Sequence, residues 1–147
     1  GRSGVPVIYG DDADIKVGKA NTVREGTDVT IIATGIMVAD ALEAADELAA
    51  KGVSARVIDM HTIKPIDSDA IIKAAADTGK IVTAEEHSVI GGLGSAVAEV
   101  LVQNEPVKVA MVGQKDTFGE SGKPDELRAK YGLTKADIIN AVTNTLE

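Results

Sequence analysis

The sequence predicts a three-layer α/β/α domain on a mostly parallel five-stranded sheet. Strand-like apolar runs alternate with stretches whose apolar residues recur at helical spacing. Glycine or proline stands at most junctions between them. The 147 residues suit one core, and a domain of that size buries roughly 68–70% of its unfolded surface.

The elements follow in order. Residues 15–23 alternate weakly and no helix precedes them, which places them as an edge strand free to pair antiparallel. Residues 28–34 are β-rich and stop at Gly35. A helix over 36–51 follows, with Val38, Leu42, Ala45 and Leu48 on one face and Gly52 at its end. Residues 53–60 form the next strand. Pro65 and Asp67 open a helix through Ala76, with Asp67 as its N-cap, and Gly79 closes it. A strand over 80–84 leads to a helix over 94–103, and Pro106 breaks the chain before a strand over 107–112. Helices over 125–131 and 135–146 close the domain, with Thr134 capping the last.

Composition removes several function classes. The formal net charge is −8, whereas nucleic-acid surfaces are basic. Aromatic residues make up 2%, too few for base-stacking platforms. No apolar run reaches the roughly 20 residues of a membrane span and no signal peptide opens the sequence, so a soluble cytoplasmic protein is expected. There is no cysteine, hence no disulfide framework or thiolate site. Gly1 to Pro6 has the glycine and proline content of a linker, and residues 1–14 are read as one, leading into a domain over 15–147.

The densest chemistry lies between Val82 and Glu99. An apolar strand delivers Glu85, Glu86 and His87 to its carboxyl end, and a glycine turn then opens a helix. Open α/β sheets build ligand and partner sites at that edge. An imidazole beside two carboxylates can move protons if its pKa lies near neutrality, although a histidine capping a helix or tying down a loop gives the same pattern. His61, beyond the preceding strand, carries the same two readings more weakly. Gly91, Gly92, Gly94 and Ser95 can present backbone N–H groups to an anion, or the glycines can serve close packing of helix on sheet. The stretch lacks the lysine of a Walker loop and the glycine spacing of a dinucleotide fingerprint. Asp11, Asp12 and Asp14 lack the glycine and glutamate of a calcium loop and read as a solvated acidic loop. Two histidines without cysteine argue against zinc, and no GxSxG elbow occurs. From the residues alone the chain yields a fold and an edge, not a reaction.

Three separated segments carry a resemblance. IIATGIMVADALEAADELAAKGVSARVIDMHTIKPID, VTAEEHSVIGGLGSAVAEVL and GQKDTFGESGKPDELRAKYGLT occur in that order. Together they resemble the C-terminal domain of transketolases, in the form found in split, two-subunit members. The C-terminal domains of 1-deoxyxylulose-5-phosphate synthase and of 2-oxoacid dehydrogenase beta subunits share this domain and remain alternatives. So does a free-standing module binding small regulatory anions.

The resemblance implies a parent enzyme that transfers two-carbon ketol units between sugar phosphates, using thiamine diphosphate and a divalent metal, Mg. Both bind between upstream domains in such enzymes, and the cofactor-activating glutamate lies in the pyrimidine-binding one. Neither Glu85 nor Glu86 inherits that role, and no catalytic, cofactor or metal ligand is expected in these 147 residues. The chain alone is expected to be inactive, a structural domain that joins the upstream cofactor-binding domains or subunit and a homodimer contact. Glu85, Glu86, His87, Gly91, Gly92, Gly94 and Ser95 are the interface or anion-binding candidates. Arg2 matches the placement of an arginine that binds sugar phosphate in transketolases, although Ser3 stands where the family often has glutamine.

Overall fold

The computed structural model describes residues 4–147. Five strands and five helices follow in the order β1 (Asn21–Arg24), β2 (Val29–Ala33), α1 (Met37–Ala50), β3 (Ala55–Asp59), α2 (Ser68–Thr78), β4 (Lys80–Ser88), α3 (Leu93–Gln103), β5 (Lys108–Gln114), α4 (Pro124–Lys130) and α5 (Lys135–Leu146). The sheet order is β1-β3-β2-β4-β5. β3, β2, β4 and β5 run parallel, and β1 pairs antiparallel with β3. The expected α/β architecture is the one found.

The alternation of strand residues sorts the core into two layers. Val29, Ile31 and Ala33 of β2, Ala55 and Val57 of β3, and Val82 and Ala84 of β4 pack with α1 and α5. Ile32, Ile58, Met60 and Ile81 point the other way and pack with α2 and α3. β2 is buried along its whole length, as a central strand covered on both faces must be. Thr30 is tolerated there because its hydroxyl meets that of Thr78 at 3.0 Å.

Local chemistry sets the helix ends. Asp67 caps α2 by accepting from the Ala70 N–H at 3.2 Å, and Gly79 ends it at φ 66°. Thr134 and Asp137 form a reciprocal capping box at the start of α5.

Two boundaries differ from the sequence reading. The edge strand shrinks to four residues, Asn21–Arg24, with a register shift between Thr22 and Arg24. Residues 15–20 instead hydrogen-bond to the segment after β3 through side chains, which a propensity reading cannot see. β4 runs on to Ser88, with a register irregularity after Ala84. Glu85, Glu86 and His87 therefore belong to the strand rather than lying beyond it, because β5 continues alongside as far as Gln114.

Gly26 shows how closely the turn before β2 approaches the start of β3. A Cβ there would lie 2.2 Å from the Ala55 carbonyl carbon and from the Arg56 nitrogen, both backbone atoms. Gly26→Ala is expected to lower stability by about 1–3 kcal/mol, the usual cost of overpacking, as read from urea unfolding.

Candidate functional site

The four parallel strands place their carboxyl ends on one edge, where β2, β3, β4 and β5 release the chain at Thr34, Met60, Val89 and Lys115. Two constellations form there, one at the start of α3 and one beneath the N-terminal arm.

At α3, the β4 pleat decides the outcome. Ile81, Thr83 and Glu85 alternate onto the face that α2 and α3 cover, so Glu85 points inward and is 1% exposed. Its Oε1 accepts from the Leu93 N–H and its Oε2 from the Gly94 N–H, both at 2.8 Å. These are first-turn donors that no helical carbonyl can reach, and a carboxylate there also suits the helix dipole. The anion held at the glycine turn is thus the chain's own.

The glycines make room for this arrangement. A Cβ on Gly92 would fall 2.0 Å from Glu85 Oε1, and one on Gly94 would fall 2.9 Å from both Thr83 Oγ1 and Met111 Sδ. Gly91 sits at φ 74°, where a side chain is disfavoured. Ser95 locks the turn: its hydroxyl donates to the Val89 carbonyl at 2.8 Å and accepts from the Gly91 N–H at 2.9 Å.

The structure divides the acid–acid–imidazole run. Glu85 is committed to the interior, while Glu86 and His87 are exposed. His87 Nδ1 lies 3.1 Å from the Ser88 carbonyl, a local contact. Arg2 lies outside the described residues.

The second constellation was not foreseen. The Tyr9 hydroxyl donates to Asp59 Oδ2 at 2.6 Å, fifty residues away. His61 Nε2 lies 3.0 Å from the Lys16 carbonyl, an acceptor only, so Nε2 carries the proton. His61 Nδ1 then faces Asp59 Oδ2 at 3.8 Å. The Gly18 N–H donates to Thr62 Oγ1 and the Ala20 N–H to Asp67 Oδ2, which sews the arm to the loop between β3 and α2. A cleft of about 400 Å³ opens beside it, lined by Pro6, Tyr9, Gly35, Ile36, Asp59 and His61 among others. The sequence offered His61 as an edge residue, but no local pattern pairs it or Asp59 with Tyr9.

Burial first, then the bond to Asp59, pushes the Tyr9 phenol up to about 12. A phenol with a raised folded pKa adds stability that is complete below its ordinary value near 10 and is lost as the pH climbs through 12.

The profile of the family described as "Transketolase, C-terminal domain" matches residues 18–138. A 6-deoxy-6-sulfo-D-fructose transketolase subunit of Clostridium sp. (strain MSTE9) is 51% identical over 95% of this chain, which covers 44% of that protein. An apulose-4-phosphate transketolase subunit of Phocaeicola vulgatus is 50% identical over 94% of this chain and is likewise covered to 44%. Among solved structures, a split-gene transketolase described as an inactive beta4 tetramer matches with a TM-score of 0.95 and 54% identity, over 99% of this chain and 48% of that one. The chain therefore spans less than half the length of these relatives.

Two outcomes test the site. Glu85→Gln keeps the shape but sets an NH₂ group against one of the two N–H donors, and an unpaired buried donor costs about 1–3 kcal/mol. That loss should appear in urea unfolding, and Glu85→Ala should exceed it. In an alkaline absorbance titration of Tyr131→Phe, the remaining tyrosine should ionise near 12, and Asp59→Asn should bring it part of the way down.

Proposed function

The chain belongs to the transketolase C-terminal domain family, and from that premise we propose that it is the C-terminal domain of a split, two-subunit transketolase. The complete enzyme would transfer two-carbon ketol units between sugar phosphates with thiamine diphosphate and Mg. These residues would contribute structure: a seat for the cofactor-binding domains and part of a homodimer contact. Residues 1–14 would be the linker to those domains.

The observation that carries the structural role is the filling of α3's N-terminus. The Leu93 and Gly94 N–H groups could have received an anion at the glycine turn, and Glu85 already holds both. Among the described residues no cluster of three His, Asp or Glu side chains could hold a metal. The glycine turn is thus filled from within, and no chemical step is assigned to the described residues. Near identity of fold with a split-gene transketolase supports the split form.

What the edge offers instead is a fitted surface. Glu86, His87 and the turn at Gly91 lie exposed together beyond a rigid base, and we assign them to contact with the neighbouring domain or subunit. Arg2, preceding the arm, is our candidate for holding the substrate phosphate, since a guanidinium matches phosphate with two parallel bonds.

The 147-residue chain alone should show no ketol transfer, and calorimetry should detect no stoichiometric, metal-dependent binding of thiamine diphosphate. In the complete enzyme, Arg2→Ala should raise KM for phosphorylated substrates by about tenfold, the loss of one charged contact, and leave cofactor affinity unchanged. Stoichiometric cofactor binding by the isolated chain would overturn the structural role.

A further inference from the structure

Large apolar side chains are exposed unevenly around this domain. Among the described residues, Val5, Val7, Ile15, Val17, Ile63, Ile90, Val102 and Phe118 are exposed. Ile63, Ile90 and Phe118 sit in the segments that leave β3, β4 and β5 at the carboxyl edge. The other four, Val102 aside, lie on the arm sewn to that same edge. Val102, near the end of α3, alone lies toward the opposite edge. A gathering of exposed apolar side chains on one face marks a surface that another protein surface covers.

Phe118 stands out within it. It is 97% exposed, yet its backbone is held firmly. Gln114 Nε2 donates to the Thr117 carbonyl at 2.8 Å, and the Tyr131 hydroxyl donates to the Phe118 carbonyl at 3.1 Å. Glu120, two residues on, is tied to Tyr131 and to Lys130. Asp116 adopts φ 38°, a conformation that non-glycine residues rarely take. Such strain persists only where the surroundings impose it. The loop between β5 and α4 therefore spends bonds and backbone strain to present an aromatic ring to solvent. A loop whose backbone is already ordered loses little entropy on docking, and aromatic residues are enriched among interface hot spots.

We propose that Phe118 is the anchor by which this domain seats against the cofactor-binding remainder of the enzyme, inserting into an apolar socket on that part. The inference rests on the reading of the chain as one part of a larger transketolase. The relatives supply the occupant: more than half of each lies outside the match. The arm, which leads toward that part, already runs along this edge.

Hydroxyl-radical footprinting of the complete enzyme and of the 147-residue chain tests the contact directly. Phe118 should be modified at least about fivefold more slowly in the complete enzyme, as a buried anchor requires, while Val102 should react alike in both. Phe118→Ser should lower the melting temperature of the complete enzyme and leave that of the isolated chain unchanged. Equal reactivity of Phe118 in both would overturn the proposal. Protection that grows in the isolated chain with its own concentration would give the face to a second copy and overturn it as well. The readout does not depend on catalysis. Protection in a complete protein without ketol-transfer activity would sink the functional reading while leaving the contact in place.

Discussion

A single buried carboxylate joins the two halves of this sheet edge. Glu85 comes from the strand beside the centre of the sheet and closes the first turn of the helix that follows it. Without it, two backbone donors would be buried against an apolar layer of Leu93, Val97 and Ile81. That layer excludes the water that would otherwise satisfy them. The same carboxylate leaves no room for a side chain at Gly92, and Ser95 fastens the turn beside it with two bonds of its own. A carboxylate is well suited to this, since two equivalent acceptor oxygens can serve two diverging N–H groups at once.

Much of the fold was legible because its signals are local. The uninterrupted apolar run of β2 declares a strand covered on both faces, and Asp67, Gly79 and Thr134 stand where caps are needed. What could not be read depends on partners distant in sequence. The extension of β4 to Ser88 is owed to its pairing with Gln114, at the far end of β5. The arm shows only a weak alternation because side chains and single backbone groups hold it, not a ladder. In the candidate site, the glycines were seen with both of their readings. The structure supplies the fact that separates them, which is the parity of residue 85 on its strand. Glu85 and Glu86 are neighbours of the same type, yet the pleat buries one and exposes the other.

The edge that binds ligands in many α/β proteins is, on the proposed reading, a joint. Its best anion-binding geometry is closed from within, and its arm is fastened across the ends of β2 and β3. Asp14 pairs with Lys16 and Glu120 with Lys130 rather than projecting unbalanced charge. The opposite layer is reinforced differently: Arg128 of α4 reaches Asp40 of α1, and Lys135 of α5 reaches Glu43 and Glu47. Burial holds the Asp40 carboxyl above its usual range, with Arg128 working against that shift. The C-terminal helices are thereby clasped to α1 on the face away from α3, and the carboxyl edge is left free to meet another surface.

The fit between Gly92 and Glu85 has a bearing on how such a domain can change over generations. With 2.0 Å between a would-be Cβ and the carboxylate oxygen, neither position can vary alone without cost. A side chain at 92 demands a shorter residue at 85, and a shorter residue at 85 vacates the helix end. The two positions are sterically coupled, and the route from this packed turn to a ligand-binding pocket must change both. The first step on that route is costly, because losing the carboxylate leaves two N–H donors buried in an apolar layer that excludes the water to pair them.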